Sequence, residues 1–171
     1  MRVPEEKIEK LVSNNPLRGP LVHTFLDCPG LSDGMGKLVS TNGKGLVAIP
    51  VELDPDDTPG LIPVEAIKSA RKREAVSHRL VCNGDISIPE TGVKYQRPDE
   101  KYPDYKAVTP KGSGKHTFSI DAKLLEKVCA VLKTGPKDEI TGLLFTVTGP
   151  EDPIRIDTHS GAYAVIMPLT I

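Results

Sequence analysis

Four histidines (His23, His78, His116, His159) and three cysteines (Cys28, Cys82, Cys129) could in principle bind a metal or act as nucleophiles. None pairs with another at the close spacing that a structural zinc site uses. Asp54, Asp56 and Asp57 form an acidic cluster, but it lacks the turn glycine and the distal glutamate of a calcium loop. It is expected to be a solvated linker. Gly30, Gly36 and Lys37 do not meet phosphate-loop spacing, and Leu38 stands where a magnesium-binding Ser or Thr belongs. Gly43-Lys44-Gly45 also lacks that hydroxyl and reads as a hairpin turn. Lys111-Gly112-Ser113-Gly114 lacks the outer glycine of a nucleophile elbow. With no catalytic or ligand set, the chain is expected not to be an enzyme and to use no metal or cofactor.

Composition narrows the field further. The 171 residues carry 22 basic and 23 acidic side chains, a net charge of −1. That balance excludes a basic nucleic-acid tail or an acidic disordered one. There is no Trp, with three Phe and four Tyr, so an aromatic platform for single strands is not expected. The core must be built from Val, Leu and Ile. No apolar run approaches the ~18 residues that span a bilayer. The charged N-terminal stretch lacks the apolar segment of a signal peptide. Unpaired, widely spaced cysteines suit a reducing compartment, so a cytoplasmic location and no membrane partner are expected.

The elements that would position any site come in three copies of one unit. Segments starting at Val3, Ile62 and Ile120 each open with an apolar residue, then Pro or Asp, then a short amphipathic helix. The starts lie 59 and 58 positions apart. The predicted apolar stripes are Ile8, Leu11 and Val12; then Ile67 and Ala70; then Leu124, Leu125, Val128, Val131 and Leu132. Asp121 is placed to cap the third helix. Strands are predicted at 21–27, 37–41 and 46–53, at 76–82, 85–88 and 92–97, and at 140–147, 153–157 and 162–169. Turn signals separate them: Asp33-Gly34, Asn42-Gly43, Asn83-Gly84, Thr148-Gly149-Pro150 and Ser160-Gly161. The fold class is therefore α+β, with one helix and three antiparallel strands per unit of about 55 residues. Linkers are expected at 54–60 and 110–115. The helices also carry Lys68, Arg71, Lys72, Arg73, Lys123 and Lys127. These form either a solvated face or a basic lining that meets phosphates without reading sequence.

Three motifs connect this pattern to a family. Residues 39–47 (VSTNGKGLV) resemble the "(A)TDGHRLA" strand-turn-strand of the bacterial DNA sliding clamp, the beta subunit of DNA polymerase III. Residues 102–110 (YPDYKAVTP) resemble its "FPDYxxVxP" segment. Residues 163–171 (YAVIMPLTI) resemble its "YVVMPMRL" tail. The resemblance implies the DNA-clamp fold. A chain of that family has six such units in three domains, whereas this one has three. By the resemblance, residues 1–110 are a domain of two units similar to the clamp's middle domain. Residues 111–171 are a half domain similar to the clamp's C-terminal half.

The resemblance also implies a pocket for the short peptide motifs of polymerases and clamp loaders. It puts Leu21, Thr41, Gly43, Lys44, Gly45, Leu46, Pro103, Ala107, Val108, Val165, Met167, Pro168, Leu169 and Ile171 at or near that pocket. Gly45, Ala107 and Thr170 stand where the family has basic residues, and Asn42 where it has Asp, which implies a reduced basic rim. An extended peptide needs such a concave apolar surface. The implied function is a DNA replication and repair accessory. It would bind clamp-interacting peptides and tether them to double-stranded DNA as an oligomeric ring. An odd half domain implies a homodimer or homotetramer. The alternative is a peptide-binding regulator or decoy that competes for clamp partners without encircling DNA.

Overall fold

A computed structural model describes residues 1–29, 34–109, 117–133 and 142–169. The chain divides into two units, Met1–Thr109 and Pro110–Ile171. The expected linker at 110–115, His116, the Lys111-Gly112-Ser113-Gly114 segment, Gly30, Asp33, Ile140, Thr170 and Ile171 lie outside the described residues.

In the first unit, β1 (Thr24–Asp27), β2 (Met35–Thr41) and β3 (Leu46–Glu52) form an antiparallel meander. A short strand not foreseen, β4 (Gly60–Ile62), pairs with the free side of β1, giving the order β3-β2-β1-β4. Helix α1 (Val64–Ala70) follows. A second meander has β5 (Val81–Asn83), β6 (Asp85–Ser87) and β7 (Lys94–Tyr95). Asn83 registers with Asp85 across Gly84, so the predicted Asn-Gly hairpin forms. Both sheets share one core. Leu26, Leu38, Val51 and Ile62 meet Ala66, Ile67 and Ala70 of α1 and Leu80, Cys82, Ile86 and Ile88 of the second meander. Burial drives the Cys82 thiol up to about 12, so it is an inert core group.

Several sequence expectations are corrected here. The first helix is only a 3-10 turn, Ile8–Leu11. Lys7 at its start gives no side-chain cap, and Val12 beyond it is extended, so nothing propagates the turn. The strand predicted from residue 21 begins at Thr24, because Pro16–Val22 is 3-10 with Gly19 at φ 49°. The strand predicted over 76–82 survives only as β5. His78 sits at φ 50°, which breaks an extended run. Helix α1 ends at Ala70, so Arg71, Lys72 and Arg73 fall at and beyond its cap.

The acidic linker is also not simply solvated. Asp57 is buried, and its carboxylate lies 2.6 Å from the Met1 ammonium. It accepts from the backbone N–H of Cys82 at 3.0 Å and of Asp54 at 2.8 Å. Asp54 pairs with the same ammonium at 2.7 Å and with Arg79 at 2.9 Å. The cluster thus binds the chain's own first residue to both meanders. No group of His, Cys, Asp and Glu among the described residues is arranged to hold a metal.

In the second unit, α2 (Ala122–Leu132) is capped as predicted. Asp121 accepts from the N–H groups of Lys123 and Leu124 at 2.8 and 3.2 Å. Strands β8 (Leu143–Thr146), β9 (Ile154–Thr158) and β10 (Tyr163–Ile166) form a sheet of order β10-β9-β8. Its core is small: Leu132, Ile154, Ile156 and Ile166 are buried, with Leu125 and Val128 packed on them. The predicted five-residue stripe divides, because Leu124 and Val131 are 43% and 77% exposed. No helix among the described residues is long and apolar enough to cross a membrane.

Removing one partner from a buried ion pair leaves the other charge uncompensated. Asp57→Ala is expected to lower unfolding stability by about 3 kcal/mol. Urea titration of the two proteins measures this.

Candidate functional site

A concave site of about 420 Å³ opens in the first unit, lined by Leu21, Thr41, Gly43, Lys44, Gly45, Leu46, Pro103, Asp104, Tyr105 and Val108. Three separate segments build it: the 3-10 stretch before β1, the β2–β3 hairpin, and the segment from Pro103 to Val108.

The hairpin wall is held by its own side chains. Thr41 and Leu46 are in register, and residues 42–45 form the loop between them. Thr41 Oγ1 donates to the Gly45 carbonyl at 2.6 Å and accepts from the Gly43 N–H at 3.1 Å. Asn42 Oδ1 accepts from the N–H groups of Lys44 and Gly45, both at 2.9 Å. Such side-chain-to-backbone turns are what Asn and Thr do best. Arg18 donates to the Asn42 carbonyl at 3.2 Å, tying the 3-10 stretch, and Leu21 with it, to the loop.

The third wall lies on the face of the sheet opposite the main core. Successive side chains of a strand point to opposite faces. Thus Leu38 enters the main core, while Val39 packs under Tyr102 and Tyr105. Tyr102 stacks on Phe25 with ring centroids 5.0 Å apart, and burial raises its hydroxyl to about 12. Tyr105 begins a short 3-10 turn, Tyr105–Ala107, capped by Asp104. Its hydroxyl donates to Asp27 at 2.5 Å, and Lys106 pairs with the same carboxylate oxygen at 2.8 Å. Burial works to raise the Asp27 carboxyl, but the hydrogen bonds from Lys106 and Tyr105 and the charges of Lys106 and Lys37 outweigh it. The group is held below its ordinary 3.8. The Tyr105 hydroxyl is pushed up by burial and by that carboxylate, so it stays a neutral donor.

Chemically, the site is an apolar hollow with a thin polar rim. Leu46 is 37% and Val108 73% exposed, so apolar surface faces solvent there. Gly43, Lys44 and Gly45 all spend their N–H groups within the loop, leaving Lys44 and Asp104 as the charged groups. Nothing here resembles a nucleophile with a base.

Of the residues predicted for a pocket, Leu21, Thr41, Gly43, Lys44, Gly45, Leu46, Pro103 and Val108 line this one cavity. Ala107 lies on the adjoining turn but is not among the lining residues. Val165, Met167, Pro168 and Leu169 belong to the second unit, where Val165, Met167 and Leu169 are exposed. Asp104 and Tyr105 line the cavity without having been predicted. The signal available was an Asp followed by a short turn, the usual sign of a cap. Among the predicted basic residues, Lys68, Lys72, Arg73, Lys123 and Lys127 are exposed. Arg71 is not free for phosphate. Its guanidinium pairs with Glu9 at 2.6 Å and donates to the carbonyls of Pro4 and Glu6.

At the level of sequence, no family model and no curated protein matches the chain. Comparison of the fold does find similar structures. The beta sliding clamp of C. crescentus matches with a TM-score of 0.73 over 95% of this chain and 46% of its own, at 16% identity. The DNA polymerase sliding clamp of Pseudomonas aeruginosa matches at 0.57 over 96% of this chain and 63% of its own, with 14% identity. The Helicobacter pylori beta clamp bound to a DNA ligase peptide matches at 0.55 over 96% of this chain and 61% of its own, with 15% identity. The chain therefore has the bacterial sliding-clamp fold, in the α+β class expected from its sequence. It spans about half to under two thirds of the length of these clamps.

Because Asp27 is depressed in the folded protein, its stabilisation is present above about pH 4, the unfolded value. It is lost as pH falls through the lower folded value. Asp27→Ala is expected to cost about 2 kcal/mol at neutral pH, as the loss of hydrogen bonds to a charged group. It should also flatten part of the acid limb. Unfolding free energies across pH 2 to 7, all by the same denaturant titration, test both.

Proposed function

We propose that this chain is a sliding-clamp-like DNA replication and repair accessory whose first-unit cavity takes short clamp-binding peptides. The observation that carries this is the meeting of Leu21, residues 41 and 43–46, residues 103–105 and Val108 in one apolar hollow. An extended peptide places alternate side chains into such a hollow. The peptide-bound Helicobacter pylori clamp supports the same reading. By the motif resemblance, Val165, Met167, Pro168 and Leu169 of the second unit are proposed as peptide contacts in their own right, with Met167 adapting to different ligands; Ile171, also implied, lies outside the described residues. The role is non-enzymatic and the chain works with protein partners, polymerase or clamp-loader motifs among them.

We further propose assembly into a homodimer or homotetramer that encloses double-stranded DNA. The second unit supports this. Phe145 stands in one cross-strand row with buried Ile156 and with Ala164, yet it is 45% exposed. Helix α2 packs against β10, and we take the exposed ring of Phe145 on β8 as a surface that a partner would cover. A second copy would supply that cover, in the way two meanders share one core in the first unit. The exposed Lys68, Lys72, Arg73, Lys123 and Lys127 suit contact with phosphates without sequence reading. The commitment of Arg71 to Glu9 favours the second reading, a peptide-binding regulator that does not encircle DNA, to the extent that it thins this basic set.

A labelled DNA ligase peptide of the kind held by the Helicobacter pylori clamp is expected to bind the chain. Leu46→Asp and Met167→Asp should each weaken it about tenfold or more, as loss of an apolar anchor does. No binding by the unaltered chain overturns the pocket. In sedimentation at micromolar concentration the chain is expected to run as a dimer or tetramer, and Phe145→Glu as a monomer. A stable monomer of the unaltered chain overturns the ring.

A further inference from the structure

Asparagine followed by glycine occurs twice in the chain, at Asn42-Gly43 and Asn83-Gly84, and each pair turns a hairpin. Such a pair can also react with itself. The glycine nitrogen attacks the asparagine Cγ, and with no side chain on the glycine that nitrogen is unshielded. The surroundings decide whether this happens, and they differ between the two pairs.

At Asn42 both reacting groups are occupied. Asn42 Oδ1 accepts from the N–H groups of Lys44 and Gly45, both at 2.9 Å, which holds the side chain against the loop. The Gly43 N–H donates to Thr41 Oγ1 at 3.1 Å. A β-carbon at Gly43 would lie 2.5 Å from Arg18 Nη1, so the guanidinium crowds that residue. At Asn83 the side chain is exposed. Among the described residues neither its amide nor the Gly84 N–H has a hydrogen-bond partner. Gly84 has φ 70°, and a β-carbon on it would meet nothing within 4 Å. The space that a cyclic imide needs is therefore open.

We propose that Asn83 is a self-modification site of the folded chain, deamidating through the Gly84 nitrogen, while the fold shields the same dipeptide at Asn42. In the first step the Gly84 nitrogen bonds to Asn83 Cγ and the Cγ–Nδ2 bond breaks. Nδ2 leaves as ammonia, with the proton that Gly84 gives up. Water then opens the imide, its hydroxyl going to the carbonyl carbon and its proton to the nitrogen. Opening at Cγ gives aspartate. Opening at the main-chain carbonyl gives isoaspartate, which lengthens the backbone by a methylene. Both products put a carboxylate at the position in register with Asp85. Like charges directly opposite on paired strands repel. The same hairpin carries Cys82 and Ile86 into the core shared by both meanders. The reaction thus loosens the second meander and leaves the cavity hairpin intact.

Peptide mapping by mass spectrometry tests this on the full chain, held at mildly alkaline pH and sampled over days. The fragment with Asn83 is expected to gain the mass of an amide-to-acid change about tenfold or more faster than the fragment with Asn42. Breaking the two hydrogen bonds that hold Asn42 sets that scale. Isoaspartate in the Asn83 fragment should accept a methyl group from an isoaspartyl methyltransferase. In urea, with the fold lost, the two fragments should react at similar rates. Asn83→Asp should unfold at a lower temperature than the uncharged Asn83→Ser; equal midpoints overturn the loosening. If Asn42 reacts as fast as Asn83 in the folded chain, or if the contrast persists in urea, the site itself is overturned.

Discussion

The β1–β2 pair must be covered on both of its faces, and the arrangement of the first unit follows from that. Leu26 and Leu38 point one way into the core that the two meanders share with α1. Phe25 and Val39 point the other way, and apolar residues on that face cannot be left to water without cost. Tyr102 and Tyr105, carried by a segment far along the chain from both strands, provide the cover. The same segment carries Pro103 and Val108. Covering the sheet therefore brings the third wall of the cavity against the β2–β3 hairpin. The site is a consequence of two-sided burial rather than an addition to it.

Asp27 converts that cover into a fixed geometry. It lies at the end of β1, accepts from the Tyr105 hydroxyl and pairs with Lys106. A bond from a neutral phenol and a charge on the next residue add to the Asp104 cap in holding a short 3-10 turn. On the hairpin side, Thr41 at the end of β2 and Asn42 in the loop do the same work. Both walls are thus set by side-chain-to-backbone or side-chain-to-side-chain bonds. Apolar groups do the lining, and polar groups decide where the lining sits.

The two units differ in how much of their apolar surface they can hide. The first has two meanders around one core. Among its described residues the second has one meander, one helix and a core cluster of four buried side chains. Small units bury a smaller share of their surface and need a partner or a staple to be stable. Here the apolar residues in excess of the core, among them Leu124, Val131 and Phe145, stay exposed.

By itself the sequence determined the α+β class and the three antiparallel meanders, because strand alternation, capping residues and Gly-containing turns are local properties. Asp121, Asn83-Gly84 and the strands at 37–41 and 46–53 were legible for that reason. Eight of the cavity residues were also legible, but through motif resemblance, since Leu21 and Pro103 share no local pattern. Tertiary structure decided the rest. Ile8, Leu11 and Val12 have helical spacing, yet without a cap they make only one 3-10 turn. Asp54, Asp56 and Asp57 look equivalent in sequence, and only the fold sets the Cys82 N–H and the Met1 ammonium on Asp57. Arg71 looks like one more surface cation until Glu9 comes within 2.6 Å. Burial and ion pairing depend on residues distant in the chain, and spacing along the sequence does not encode which of them will meet.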